Sequence, residues 1–130
     1  MVNKRKKKQK LVYFEGVPSQ IGIGPGESGV NIKLINEIKA NAIFKRKKWP
    51  RILDLLVENH YEDATIADSQ SVAHWADVNY NTVWRLKNFL LEQQLLILIN
   101  RNGLVGFEPR LVMVKNSDGI IIEPKLQTRF

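Results

Sequence analysis

Residues 71–96 read SVAHWADVNYNTVWRLKNFLLEQQLL and consist of two segments with helical spacing, separated by a short polar break. Ala73 is small enough for a second helix to cross the first one closely. Asp77 follows four residues later, and aspartate tolerates a left-handed backbone better than most residues other than glycine. Val78 can hold the turn against the core, and Asn79 is a residue type favoured at helix N-caps. The break therefore predicts two helices joined by a tight turn.

The second helix, predicted for residues 80–93, has an apolar face and a polar face. The positions that we expect to face the core recur at helical spacing, and they are Val83, Leu86 and Leu90. The positions that we expect to face solvent are Tyr80, Asn81, Trp84, Arg85 and Asn88, with Thr82 at the edge. Arginine can read guanine with two hydrogen bonds, and asparagine can read adenine in the same way. Amides and hydroxyls at the start of a helix can also hold a phosphate. This face therefore predicts contact with DNA.

Trp84 stands out because the helical period places its large ring in water. We expect Trp84 to be exposed because it contacts a ligand, with DNA as the first candidate. The alternative is that Trp84 packs on the N-terminal segment or on a second subunit. Phe89 and Leu91 raise the same question, and we expect them to pack on the helix predicted for residues 31–44 or across a dimer interface.

The segments that precede this pair are also helical. Trp49-Pro50 opens a helix, because proline suits the first helical position, where its missing N–H would have no partner. This helix is apolar on more than one side, so we expect it to be central. Asp68 or Ser69 caps the next helix, at about residues 69–76.

The segments that follow indicate a β-hairpin. LLILI at residues 95–99 reads as a strand, and LVGF at residues 104–107 reads as its return strand. Between them, Asn102-Gly103 favours a tight turn. The order from residue 50 is therefore helix, helix, helix, strand, turn and strand, which is the layout of a winged helix.

These residues resemble the winged helix-turn-helix superfamily, and within it the regulators of the MarR type. The pattern of those regulators is a Leu-Ala pair, three residues, Gly-Val-Ser, two residues and Thr-Val-Ser-Arg-Leu. It lies over VAHWADVNYNTVWRL at residues 72–86, and the resemblance covers about residues 50–108. The sequence departs from the pattern because Asp77 replaces a glycine, Trp84 replaces a small polar residue, and Gln94 stands where a glycine often ends the helix.

The resemblance implies an α+β fold and double-stranded DNA as the partner. Most such regulators are homodimers that read paired half-sites. By resemblance, the wing residues Arg101 and Asn102 enter the minor groove or contact phosphate. The alternative for these two residues is an ordinary polar hairpin tip.

The positive charge is concentrated in two clusters. The chain has a net charge of +7, and concentrated positive charge favours a polyanionic partner. The residues that we expect to contact phosphate are Lys4, Arg5, Lys6, Lys7, Lys8, Lys45, Arg46, Lys47, Lys48 and Arg51. Outside the clusters at residues 4–10 and 45–51, acidic residues outnumber basic ones. The N-terminal cluster also fits a nuclear targeting tract if the host is eukaryotic.

The 130 residues suffice for one domain. We expect residues 1–10 to form a basic disordered arm and residues 11–130 to form a single winged-helix domain. Its core spans about residues 50–108, with an N-terminal extension at 11–48 and a possible C-terminal hairpin at 110–124.

Within the two extensions, the pattern predicts several smaller elements. LVYF at residues 11–14 reads as a short strand, and the Gly- and Pro-rich residues 16–29 read as a loop. Asn31 can cap a helix that runs to about Phe44. The C-terminal hairpin turns around residues 117–119. The extra helix and this hairpin are both candidates for a dimer interface.

Several other functions find little support. GIGPGES at residues 22–28 is similar to a phosphate-binding loop, but Glu27 takes the position of the lysine that would neutralise phosphate. His60 with Glu62 and Asp63 could hold a metal, although such neighbours are common at helix ends. No catalytic set can be argued, so we predict a protein that is not an enzyme, with no cofactor and no evident small-molecule effector.

The chain contains no cysteine, which fits a reducing compartment. No apolar run approaches the length of a membrane helix. We therefore expect a cytoplasmic protein without a membrane partner, associated with the nucleoid when bound to DNA.

The sequence predicts a small dimeric transcriptional regulator that binds specific double-stranded DNA and acts by occupying its site. A first alternative is a replication or plasmid- or phage-maintenance factor, since residues 32–49 are loosely similar to phage and plasmid replication proteins. A second alternative is a winged-helix protein-interaction module, in which the apolar side chains of residues 84, 89 and 91 would hold a protein.

Overall fold

The computed structural model describes residues 8–45, 48–99 and 104–124. Within these ranges the fold is α+β, with four α-helices, a four-stranded mixed sheet and a small hairpin. The helices are α1 (Ile32–Ala40), α2 (Trp49–Glu58), α3 (Ser69–Ala76) and α4 (Tyr80–Glu92). The strands are β1 (Lys10–Phe14), β2 (Glu27–Asn31), β3 (Leu96–Leu98), β4 (Val105–Phe107), β5 (Val112–Lys115) and β6 (Ile121–Ile122). None of the described helices is long and apolar enough to cross a lipid bilayer.

Helix α2 is the centre of the core, as its sequence predicts. Pro50 lies in its first turn. Ile52, Leu53 and Leu56 have no solvent-exposed surface, and α2 contacts α3 and α4. A helix that is apolar on several sides is stable only when other elements cover each side, and this position provides that cover.

Helices α3 and α4 are joined by the tight turn that the sequence predicts. Asp77 adopts a left-handed backbone, with φ 56° and ψ 52°. The N–H of Val78 donates to the carbonyl oxygen of Ala73 across 3.0 Å. The side chain of Asp68 caps α3, and the side chain of Asn79 accepts from the N–H of Asn81 across 2.8 Å at the start of α4. These polar side chains satisfy backbone groups that the helices leave unpaired.

Helix α1 is shorter than predicted. Its N-cap is confirmed, because Asn31 Oδ1 accepts from the N–H of Leu34 across 3.0 Å. The helix ends at Ala40 instead of near Phe44, because Asn41 is extended and its Oδ1 accepts from the N–H of Ile43 across 3.0 Å. This bond starts a separate 3-10 turn at Ala42–Lys45.

The four-stranded sheet combines both terminal extensions in the order β1-β2-β5-β6. Strand β1 is parallel to β2, and the other pairs are antiparallel. The predicted strand at 11–14 and the predicted C-terminal hairpin are confirmed. The loop predicted for residues 16–29 is wrong at its end, where β2 begins at Glu27. Gly29 permits this strand, because a Cβ there would lie only 2.7 Å from Ile23 Cδ1 and 2.8 Å from Pro18 Cβ.

The small hairpin pairs β3 with β4, as predicted, and a third segment joins it. The N–H of Ile66 donates to the carbonyl oxygen of Val105, and the N–H of Phe107 donates to that of Ala64, both across 3.1 Å. Residues 64–66 therefore lie along β4 on the side opposite β3. Gly106 allows this approach, since a Cβ there would lie 2.8 Å from the Ala64 oxygen. The turn predicted at residues 100–103 lies outside the described residues.

The prediction of a basic disordered arm at residues 1–10 is wrong for residues 8–10. Residues 1–7 lie outside the described residues. Lys8 forms a bridge with Tyr61, and β1 begins at Lys10. Gln9 is buried, and its Nε2 donates to the carbonyl oxygens of Glu27 and Lys115. Residues 8–10 are therefore attached to the folded domain, because these bonds fix them there.

Candidate nucleic-acid interface

The outward face of α4 carries the side chains that the sequence assigns to it. Those that are exposed are Tyr80, Asn81, Trp84, Arg85 and Asn88, and Thr82 is half-buried. Tyr80 is 47% exposed and Trp84 is 40% exposed. These values are high for large apolar rings, so this face of α4 presents aromatic surface to solvent beside amides and a guanidinium.

The opposite face of α4 is fixed in the core. Val83, Leu86 and Leu90 have no exposed surface. Because the back of the helix is fully packed, the outward side chains stand on a rigid support. A rigid support reduces the ordering that a binding surface needs when it meets its partner.

The polar groups on this face have free hydrogen-bonding capacity. Within the described ranges, the side chains of Asn81, Arg85 and Asn88 make no hydrogen bond or ion pair. By contrast, Arg110 pairs with Glu108 and also donates to the carbonyl oxygen of Gln94. The donors and acceptors of the α4 face are therefore available to an external ligand.

A shallow groove of about 240 Å³ lies beside this face. Its α4 wall consists of Arg85, Asn88, Phe89 and Glu92. The facing wall consists of Ile43, two residues before the second basic cluster at 45–51, and Trp49, which lies within that range. The groove therefore brings the outward face of α4 next to that cluster.

An aromatic cluster supports the floor of the groove. The ring centroid of Phe89 lies 5.9 Å from that of Phe44 and 5.7 Å from that of Trp49. Phe44 and Trp49 are themselves 5.4 Å apart in an edge-to-face arrangement. Phe89 thus packs on the region that follows α1, which agrees with the first of the two expectations for it. Leu91 is half-buried against the core.

Three residues of the second basic cluster are described, and all three are exposed: Lys45, Lys48 and Arg51. Lys45 follows Ile43 and Phe44, while Lys48 and Arg51 flank Trp49. These cations therefore lie next to the groove along the chain. Arg46 and Lys47 lie outside the described residues.

The remaining predicted contacts lie elsewhere. Lys8 is exposed, but its Nζ donates to Asn59 Oδ1 across 3.0 Å, at the end of α2 opposite Trp49. It is therefore not part of the groove. The other arm residues and the wing pair lie outside the described residues, and these are Lys4, Arg5, Lys6, Lys7, Arg101 and Asn102.

Lys87 is a buried cation on α4 that the sequence reading missed. It is 5% exposed, and its Nζ donates to the carbonyl oxygen of Ala67 across 3.2 Å. Burial lowers the pKa of Lys87 to about 8, against a smaller opposing effect of Asp68. Its spacing, four residues after Val83 and three before Leu90, could have shown that it lies on the inner face.

Two carboxylates limit where an anion could lie. Glu92 ends the α4 wall of the groove, and Asp77 is exposed in the turn before α4. Between them, residues 80–88 contain Arg85 and the buried Lys87 and no acidic residue. A negatively charged ligand is therefore best accommodated along the first two turns of α4.

A serine–histidine pair lies in the core, away from this face. His60 Nδ1 donates to the carbonyl oxygen of Val57, so Nε2 accepts from the Ser28 hydroxyl, both across 2.6 Å. Neither residue has any exposed surface, and therefore no substrate reaches the pair. Both ring nitrogens are engaged, which also removes His60 from the metal site considered with Glu62 and Asp63.

The Gly-rich loop at residues 22–28 provides its own anion. Glu27 Oε1 accepts from the N–H of Gly24 across 2.8 Å. The Glu27 carboxylate thus accepts the hydrogen bond from a backbone N–H that a phosphate would need. This agrees with the expectation from the sequence that Glu27 would repel phosphate.

No protein-family model, curated protein or solved structure matches this chain.

Proposed function

We propose that this protein binds double-stranded DNA by placing the first two turns of α4 in the major groove. The exposed side chains of Asn81, Arg85 and Asn88 supply base-reading donors and acceptors. The second basic cluster, represented by Lys45 and Arg51, supplies phosphate contacts beside them.

One observation carries this proposal. The outward face of α4 has polar side chains without hydrogen-bond partners in the described part of the chain, and its back is fully buried. The chain around the second basic cluster lies on the other side of the groove from Arg85 and Asn88. A rigid helix with free hydrogen-bonding groups beside concentrated positive charge is the arrangement that major-groove recognition needs.

The arrangement of elements is compatible with a winged helix, and we adopt that fold as part of the proposal. Helices α2, α3 and α4 correspond to its three-helix core. The hairpin β3–β4, with residues 64–66 along its other side, corresponds to the wing sheet. In this interpretation α4 is the recognition helix.

We infer a regulatory role in which the protein acts by occupying its site as a homodimer in the cytoplasm. Of the two candidates for a dimer interface, the C-terminal hairpin has little unpaired strand edge. Strand β5 already pairs on both sides, with β2 and β6, so the C-terminal hairpin offers only the outer edge of β6. A role in replication or maintenance remains an alternative, and binding to repeated origin sites instead of a promoter would distinguish it.

Fluorescence anisotropy with a random-sequence duplex, repeated across a salt series, tests the proposal. We expect affinity to fall steeply with salt, because each phosphate that a cation neutralises releases counterions. Arg85→Ala, which removes a base-reading group, should weaken binding. Arg51→Ala, which removes a phosphate contact, should reduce the slope of log affinity against log salt by about one. A chain that lacks residues 1–7 should also show a lower slope, and it retains β1.

Lys33→Ala is the matched control, since Lys33 is an exposed cation at the N-terminal end of α1, whereas Ile43 follows the C-terminal end. It removes the same charge as Arg85→Ala and should change the affinity much less. Equal losses from both substitutions would mean that net charge alone drives binding. Absence of binding at low salt would favour a protein-interaction module instead.

A further inference from the structure

We propose that the α4 face prefers A·T base pairs, with Trp84 and Tyr80 lying against thymine methyl groups and Asn81 and Asn88 reading adenine. This inference depends on the proposed DNA binding and specifies which base pairs the same surface takes. In the major groove, thymine presents a methyl group that no other standard base has, and adenine presents the donor–acceptor pair that matches a carboxamide.

The first support is the exposure of two aromatic rings on a binding face. Tyr80 and Trp84 are 47% and 40% exposed. They are four residues apart, so they are neighbours along one stripe of the helix. Indole and phenol rings lose much apolar surface to a partner, and methyl groups are the apolar features of the major groove.

The second support is the composition of the polar groups beside the rings. Asn81 and Asn88 are exposed and uncommitted, and an asparagine side chain forms two hydrogen bonds with adenine. Arg85 is the one exposed guanine-reading side chain in residues 80–88. Cytosine recognition by a carboxylate has no candidate within residues 80–88. The residues thus favour A·T pairs at most contacted positions and one G·C pair at Arg85.

The third support is the length of the face. Residues 80–88 span about 12 Å along a helix axis at 1.5 Å per residue. Base pairs are stacked about 3.4 Å apart, so this length matches roughly three to four base pairs. The two rings and two amides can therefore meet successive base pairs in one half-site.

Replacing thymine by deoxyuridine tests the inference, because uracil lacks the methyl group and keeps the same Watson–Crick pairing. Affinity is measured by anisotropy for an A·T-rich duplex, its deoxyuridine counterpart and a G·C-rich duplex of equal length. We expect the wild type to lose roughly fourfold in affinity for each contacted methyl that is removed. Trp84→Ala should lose the part of the thymine preference that comes from its own methyl contact, and Trp84→Ala combined with Tyr80→Ala should bind the thymine and deoxyuridine duplexes with nearly equal affinity.

Trp75→Ala is the matched control, since Trp75 on α3 is 41% exposed, close to the value for Trp84. It removes an equally exposed ring and should leave the thymine preference intact. Trp84→Phe keeps a ring at the same position and should retain part of the preference. The ratio of affinities for the two duplexes is insensitive to a general loss of folded protein.

The outcomes separate the two proposals. Equal affinity of the wild type for thymine and deoxyuridine duplexes, with a steep salt slope and a loss for Arg85→Ala, would overturn the A·T inference and leave DNA binding intact. Loss of the thymine preference in Trp75→Ala as well would overturn the role of Trp84. If no duplex binds at low salt, both proposals fail.

Discussion

The Nζ of Lys87 donates to the carbonyl oxygen of Ala67, and this hydrogen bond joins the inner face of α4 to the residue before the cap of α3. A cation that is 5% exposed is costly unless it has partners. The bond therefore couples the charge of Lys87 to the packing of α4 on the rest of the core.

This coupling predicts that the protein becomes more stable as the pH rises from about 8 to 10.5. The pKa of Lys87 is about 8 in the folded protein, against an ordinary value of 10.5. Between these values the unfolded chain binds the proton and the folded protein does not, so stability rises with pH. The gain attributable to Lys87 is roughly 2–3 kcal/mol. Urea unfolding across this range measures it, and Lys87→Met, which cannot titrate, should lose this component.

His60 predicts a dependence of the same sign at acidic pH, where stability declines as the pH falls. Burial lowers its pKa from 6.5 to about 4, against a smaller opposing effect of the hydrogen bond to Val57. As the pH falls from 6.5 to 4, the unfolded chain takes up a proton that the folded protein excludes, so stability declines by roughly 3 kcal/mol. His60→Gln should reduce this decline in acid unfolding experiments. His74→Gln, which removes an exposed histidine, is the control that should retain it.

The turn before α4 predicts a stabilising substitution. Asp77 has a φ of 56°, a conformation that glycine adopts without steric cost. We expect Asp77→Gly to raise the free energy of unfolding by about 0.5 kcal/mol and Asp77→Ala to lower it by about 1 kcal/mol. Thermal unfolding of both variants measures the difference. A lower melting temperature for the glycine variant would indicate that the Asp77 side chain stabilises the turn in another way.

The groove predicts a substitution that strengthens DNA binding. Glu92 is the carboxylate at the end of its α4 wall, and it repels phosphate. Glu92→Gln should raise duplex affinity about twofold at low salt, with less effect as salt increases. Glu58→Gln is the control, because Glu58 is at the C-terminal end of α2, while Trp49 of the groove is at the N-terminal end. An equal gain in duplex affinity from Glu58→Gln would mean that net charge, and not the position of Glu92, sets the affinity.

The helices could be predicted from the sequence because their signals are local. Asn31, Asp68 and Asn79 act as caps within three residues of their partners. The inward and outward positions of α4 follow from its period, and Asp77 was recognisable as the left-handed residue. All of these features depend on neighbours along the chain.

The sheet and the buried polar pairs depend on distant partners, so the sequence did not reveal them. Glu27, Ser28 and Gly29 read as loop residues, yet they form β2 because β1 and β5 pair with it. The bond from Ser28 to His60 joins residues that are 32 positions apart. Of the candidate site, the α4 face was predictable, whereas its groove with Ile43 and Trp49 required the fold.

The central claim, that the outward face of α4 meets DNA, is tested most directly by NMR of the labelled protein during titration with a duplex. The chain has three tryptophans, so three indole N–H signals report on Trp49, Trp75 and Trp84. We predict that the Trp84 indole and the backbone amides of residues 80–88 shift on addition of DNA, while the Trp75 indole and the amides of β5 stay in place. Shifts confined to the sheet or to α3, with Trp84 unchanged, would contradict the account.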